Sequence, residues 1–499
     1  MPDIADIHDE SLVADRTASL MFLGFLLLIA ISVWFVPLFE RARLPLLGAI
    51  VLCIGTVFGP PFFFVDGPVQ ISIDRVLFVI ICIVAFFSLR GSTASIPKLV
   101  ASDWIVIAYT LWVLISAKRG DAPANGSPVG TWIFYVLLPS LLYFVVRIAK
   151  LEAIDLKRVE TVFLGIGLYL AVTAIFESRG WYSLVFPQFI ADPKLWEFLG
   201  RGRGPLLNPS ANGIVLTIGL AVAAVRFLRA DRSGRVGYMI AMLVILAGLY
   251  STLTRSVWIG GILALAIVFW RVTPGWAKAL SLAAAVLLAG FVVAGLKDQL
   301  LRMKRDKNLS AAEAEKSVQL RPLLAIIAFE MIKDAPVTGH GFGHYHQAAK
   351  PYYSIRGYGM PLETLRGYHQ HNVLLSVAVD NGLIGLTMFM SLLVIWIHAG
   401  WKFSGAGEPI ANAMHRHMGL VVVASIAGYL VGGMFQDVTI MPMINMYLFF
   451  IAGLMVSLDQ IKANVPSAST AVQTSLINVR ETNGQETAIA GTTLQPAAC

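Results

Sequence analysis

Apolar runs long enough to cross a bilayer recur along most of this chain, and that recurrence limits what it can fold into. A spanning helix needs about 20 mostly apolar residues, and within hydrocarbon every backbone polar group must be bonded internally. Such runs occupy 18–38, 45–64, 72–89, 102–118, 129–147, 160–177, 211–228, 236–253, 256–271, 277–296, 372–399, 417–435 and 439–458. The expected fold is therefore all-α: a polytopic integral membrane protein with 12 or 13 transmembrane helices, the lower count allowing for the tight spacing of the first three runs. A chain that is 57% hydrophobic and only 14% charged is no ordinary soluble domain. The runs divide it into an N-terminal tail over 1–17, a membrane domain over 18–458 and a tail over 459–499. The last is rich in Ser, Thr, Ala, Asn and Gln and reads as a disordered inward-facing extension. The first is acidic and lacks the basic start of a cleaved signal peptide, so the first span is expected to stay.

Lysine and arginine in the short loops set the orientation. Arg41 and Arg43, Arg90 and Lys98, Arg147 to Arg158, Arg226 to Arg235, Arg271 and Lys278, and Lys402 with Arg416 fall in alternate loops and so on one side, the cytoplasmic one. Lys118 and Arg119 break the pattern. Two long segments then face outward: Glu177 to Asn208, and a loop of about 297–370 between spans ten and eleven. Long loops in a compact protein are functional or disordered. The net charge of +8 suits a membrane with anionic lipid on one face, and no basic-aromatic module supports nucleic-acid binding. Three scattered cysteines, Cys53, Cys82 and Cys499, make neither a disulfide framework nor a thiolate metal site.

The outward segments concentrate unusual residues. "GRGRGPLLNP" puts Arg201 and Arg203 just before a span, against the charge trend. "STLTRSVWIGG" puts Arg255 in a nearly absent turn at the bilayer boundary, with no acid nearby in sequence. Each reads either as an interfacial anchor whose side chain snorkels to headgroups or as an anion ligand, since guanidinium groups grip phosphate through a bidentate fork. Arg321 heads an amphipathic stretch, "RPLLAIIAFEMIKDAP", in which Leu323, Leu324, Ile327 and Met331 recur at helical spacing and Pro336 ends the run. It reads as a helix on the membrane surface, with Arg321 either a third phosphate ligand or a solvated end residue. The glycines of "TGHGFGHYH" are no phosphate loop, because no Gly-Lys-Ser/Thr follows them and no strand precedes them.

Five of the nine histidines, His340, His344, His346, His369 and His371, fall in the large loop. A zinc site would draw three or four ligands from His, Cys, Asp or Glu. With no His-Glu-x-x-His and no cysteine nearby, no metal is expected. A general base is favoured instead, because imidazole titrates near neutral pH and takes a proton from a hydroxyl.

Four stretches, "RGRGPLLNP", "TLTRSVWIGG", "RPLLAIIAFEMIKDAPVTGHGFG" and "HQHNVLLSVAVDNGLIG", together resemble the O-antigen ligase and polymerase superfamily of bacterial membrane glycosyltransferases. The likeness covers roughly 160–455. It implies an inverting transferase that needs no metal or other cofactor. The donor would be an undecaprenyl-diphosphate-linked glycan and the acceptor lipid A-core or another glycan, at the periplasmic face of the bacterial inner membrane. His371 would be the base, Arg201, Arg203, Arg255 and Arg321 would hold the diphosphate, and His369 and Asn372 would sit beside the substrate. The family's Pro-Asn is here Pro209-Ser210, with Asn212 as a stand-in, and the acid it often carries is here Val373 or Asp380. A polymerase would use the same residues with a different acceptor. From another class, a small-anion or bicarbonate transporter would place ionisable residues near the bilayer centre, whereas here they gather at outer helix ends.

Overall fold

The computed structural model describes residues 44–59, 62, 64–65, 71–90, 98–119, 127–149, 151, 153–280, 282–283, 311–355, 362–405 and 413–464. The expected span 18–38, most of 277–296, and both expected tails (apart from 459–464) lie outside them, as do Arg41 and Arg43.

Helices fill the other expected segments. They are α1 (Leu44–Val57), α2 (Ile73–Arg90), α3 (Ala101–Ala117), α4 (Pro128–Arg147), α5 (Ala153–Arg179), α6 (Pro209–Arg229), α7 (Arg232–Ser251) and α8 (Arg255–Trp270). After α9 (Ala311–Asp334) come α10 (Val373–Phe403), α11 (Ala413–Gly433) and α12 (Pro442–Asn464). Among the described residues, α4, α5, α6, α7, α10 and α11 include helices long and apolar enough to cross a membrane, while α1, α3, α8 and most of α12 are apolar but shorter. The sheet content described is one two-residue antiparallel pair, Phe64–Val65 with Ile71–Ser72. The chain is an all-α, multi-pass membrane protein.

α6 sits at the centre, packed by α5, α7, α8 and α11. It crosses α5 closely because both carry glycine at the contact: a Cβ on Gly219 would lie 2.9 Å from the Gly167 Cα. Small residues at crossings let membrane helices gain dispersion contacts that lipid cannot offer. At helix ends assigned to the basic side, buried acids hold the arginines. Arg147 pairs with Asp103 at 2.7 Å, Glu160 takes both Arg226 and Arg229, and Arg271 donates to Trp401 O at 2.7 Å.

α10 is broken at Gly382, whose φ of 67° only glycine adopts easily. The break receives the turn that follows α9. His340 N–H donates to Val379 O at 2.8 Å, Gly341 N–H to Asp380 O at 3.0 Å, and Leu383 N–H to Pro336 O at 2.8 Å. From α3, the Trp112 indole donates to Asn381 O at 2.9 Å and the Ser116 hydroxyl to Asp380 O at 2.8 Å. A Cβ on Gly382 would sit 2.2 Å from Val337 O. Backbone groups freed by the break are thus satisfied inside protein, the condition for interrupting a membrane helix. The outward loop is pinned to α10 and α3 as a consequence.

The loop has its own core. Leu324, Ile327, Ala328 and Met331 of α9 are buried with Tyr345, Tyr352, Tyr353 and Val379. The apolar stripe read as membrane-facing therefore packs on protein, because tyrosines distant in sequence fold back over it.

Candidate active site

Three outward elements converge. The first is the start of α8. Thr252 to Thr254 form a tight turn, with Leu253 at a φ of 51°, and Arg255 opens the helix. Arg201 braces this turn: its guanidinium donates to the Thr254 hydroxyl at 2.7 Å and to Thr252 O at 3.3 Å, and Gly202 N–H donates to Ser251 O at 2.9 Å. Asn212 holds the other side, its amide donating to Gly202 O at 2.8 Å. Arg201 thereby braces the turn that carries Arg255, and its expected role as a diphosphate ligand is corrected for Nε and Nη2, whose donors go to the turn.

Arg203 is corrected more firmly. It is 1% exposed and ion-paired to the fully buried Glu177 at 3.2 Å. Its guanidinium also donates to Ile190 O at 2.6 Å, Glu197 O at 2.5 Å and Leu195 O. Every arm of the fork is spent on shaping the loop, which leaves none for a phosphate.

The second element is α9, which brings in Arg321. Its guanidinium lies 5.7 Å from the Phe435 ring centroid. Arg321 feels the charge of Arg255, which together with burial lowers its pKa. Arg255 Nη2 and Arg321 Nε are both buried without a hydrogen-bond partner, and no carboxylate pairs with either among the described residues. Two like charges held together, at the positive end of the α8 dipole, make a strong anion-attracting field.

The third element is the segment before α10. Asn372 caps that helix, its side-chain oxygen accepting from Leu374 N–H at 2.9 Å and Leu375 N–H at 3.1 Å, and its amide donating to Met434 O at 3.3 Å. Its side-chain oxygen thus serves as the cap of α10. The cap fixes His371 one residue ahead of it. Burial and the charge of Arg321 hold the His371 imidazole below its usual range, so it is neutral at neutral pH. Burial, then His346 and His371, push His369 down to about 4. The His346 and His369 rings meet edge to face at 4.1 Å, and Tyr345 stacks on His369 at 5.5 Å. His340 and His344 are instead directed to backbone carbonyls of Met331 and Ala117.

The sequence reading missed Phe435 and Tyr345, and it named His346 only as one of the loop histidines. No spacing pointed to them; "HYH" beside "YHQH" was the available signal, since histidine repeats in one loop can meet in space.

Arg255, Arg321 and His371 are thus electrostatically linked, two cations without a paired carboxylate among the described residues and one neutral base. No curated protein matches the chain. Residues 240–390 match the family model described as O-antigen ligase. That window runs from α7 into α10 and contains Arg255, Arg321, His369 and His371, while Arg201 and Arg203 precede it. The segment that holds Arg255, Arg321 and His371 is therefore the part of the chain that is similar to the O-antigen ligase family.

Proposed function

We propose that the protein is a membrane glycosyltransferase that moves a glycan from undecaprenyl diphosphate to an acceptor hydroxyl at the periplasmic face of the inner membrane, in the manner of an O-antigen ligase. One observation carries the reading: Arg255 and Arg321 lie within electrostatic reach of each other, and Arg321 of His371, with no acid paired to either arginine among the described residues. The reaction separates charge in the way these three residues accommodate. The acceptor oxygen bonds to the anomeric carbon as the bond from that carbon to the diphosphate oxygen breaks. The diphosphate leaves with the electron pair, and its growing charge is met by the two fixed guanidinium groups. His371 takes the acceptor proton. Attack opposite the leaving group inverts the anomeric centre, and none of these steps calls on a metal. Neither arginine has to release a carboxylate first, so no reorganisation precedes catalysis.

A polymerase would use the same three residues with a carrier-linked glycan as acceptor. The deciding experiment is the surface-polysaccharide profile of a deletion strain. Carrier-linked chains that persist while lipid A-core loses its glycan support the ligase; short carrier-linked repeats mean a polymerase, and an unchanged profile overturns both. The outward orientation has its own check at Ser354, which is exposed. A cysteine there is expected to react with an impermeant reagent in cells with a permeable outer membrane, and labelling only after lysis would overturn the orientation.

A further inference from the structure

Farther along α10 from His371, the bundle encloses a second polar space that the transfer reaction does not use. A cavity of about 20 Å³ is lined by Ser376, Asp380, Asn381, Thr439 and Asn445, with tyrosines and apolar residues between them. That is room for one water-sized occupant. Beside it lies Asp437, 1% exposed. Its oxygens accept from the Ser376 hydroxyl at 2.6 Å, the Thr439 N–H at 3.0 Å and the Thr439 hydroxyl at 2.5 Å. Burial pushes this carboxyl up to about 6, and the three donors work against that rise.

Asp380 is differently placed. Gly343 N–H faces its carboxyl, but Oδ1 is buried without a partner. Its neighbour Asn381 is 2% exposed, lines the same cavity, and also leaves its Oδ1 unpartnered. Two unmatched oxygens of different side chains therefore meet the same space. No Lys, Arg or His lines the cavity, and no ion pair involves Asp380 or Asp437 among the described residues. Buried acceptors without donors are costly in an apolar bundle, and an acid there requires a partner. Water supplies donors but no charge. Carboxylate, amide carbonyl and hydroxyl oxygens are the ligand set of a hard cation. Asp380 is the one acid in the lining, with Asp437 standing behind Ser376 and Thr439, and one negative charge matches one positive charge.

We propose that this cavity binds one sodium ion, held by the side-chain oxygens of Asp380 and Asn381 at the break in α10. The site lies where the outward turn enters the helix, so the ion would fasten the outward loop to the bundle. The proposal stands whether or not the transfer reading does.

The test uses the whole protein in detergent, exchanged into choline chloride and titrated with radioactive sodium at constant ionic strength. Saturable binding approaching one ion per chain is expected, with an unfolding midpoint that rises with the logarithm of sodium concentration. Asn381→Ala should weaken binding by about tenfold or more, and Asp380→Asn should remove the saturable component. The wild type decides the matter even if a variant fails to fold. Absence of saturable binding to wild-type protein overturns the proposal, and binding unchanged in both variants overturns its placement.

Discussion

Arg203 and the Arg255–Arg321 pair are the same residue type, yet their surroundings are opposite. Arg203 is sealed in, its charge matched by Glu177 and its donors spent on three carbonyls. Arg255 and Arg321 have no acid paired to them among the described residues and keep buried donor atoms unpartnered. The first arrangement is stable only as it stands, because removing either member strands a buried charge. The second is costly as it stands and improves when an anion arrives. An arginine that builds a loop is thus distinguished from one that receives a ligand by where its counter-charge comes from. Arg201 lies between them, its donors given to the turn that presents Arg255.

The sharpest way to break this contrast is to remove each arginine in turn. Arg203→Ala should cost about 3–5 kcal/mol of stability, the scale for leaving a buried charge unpaired. It should appear as a lowered unfolding midpoint and a poor folded yield, while molecules that do fold keep transfer within a few-fold of wild type. A stable Arg203→Ala protein without transfer would put Arg203 in the site after all.

Arg255→Ala and Arg321→Ala should do the reverse. Transfer should fall by about 100- to 1,000-fold, the scale for losing one preorganised charge-stabilising donor, with unchanged yield. Lysine should rescue poorly, because it lacks the planar fork. Measured transfer by purified protein checks both, and full activity of Arg255→Ala would make it an interfacial anchor.

His371→Ala should lower transfer by about 100-fold or more, the usual worth of general-base help. His369→Ala should keep a measurable fraction, since its imidazole is held to about 4 and stacked between Tyr345 and His346. Equal losses in both variants would argue for a shared base.

The smallest effect is the most specific. A base works only when deprotonated, and His371 is held below 6.5 by burial and Arg321. Activity should therefore persist as pH falls through 6.5 and decline only below it. Arg321→Gln removes a facing positive charge, so the pKa of His371 should rise and the acid limb of residual transfer should move to higher pH. A profile that does not move would mean that Arg321 and His371 are not in electrostatic contact. His369 adds a stability effect. Its folded pKa is depressed, so its contribution is present above 6.5 and is lost as pH falls from there through about 4.

Span positions from 45–64 to 256–271 and from 372–399 to 439–458 were legible in the sequence because hydrocarbon admits few backbone solutions, so apolar run length translates directly into helix. Arg255, Arg321 and His371 could be singled out as candidates because an arginine at the edge of a span and a histidine before an apolar run are local signals. Which arginine is which was not. Arg201, Arg203 and Arg255 read alike along the chain, and only the fold brings Glu177 and three carbonyls to Arg203 and turns Arg201 toward the Thr252–Thr254 turn. The helix-capping role of Asn372 could be read locally from its place before an apolar run; that its amide also meets Met434 could not. Burial of α9 under Tyr345 and Tyr352, and the seat of the "VTGHGFG" turn in the α10 break, rest on contacts between residues far apart in sequence. The sequence determined the membrane class, the helices and the reactive residue types, since these follow from local composition. Tertiary structure alone decided which charges are satisfied, because a counter-charge or a hydrogen-bond partner is a fact about space and not about order along the chain.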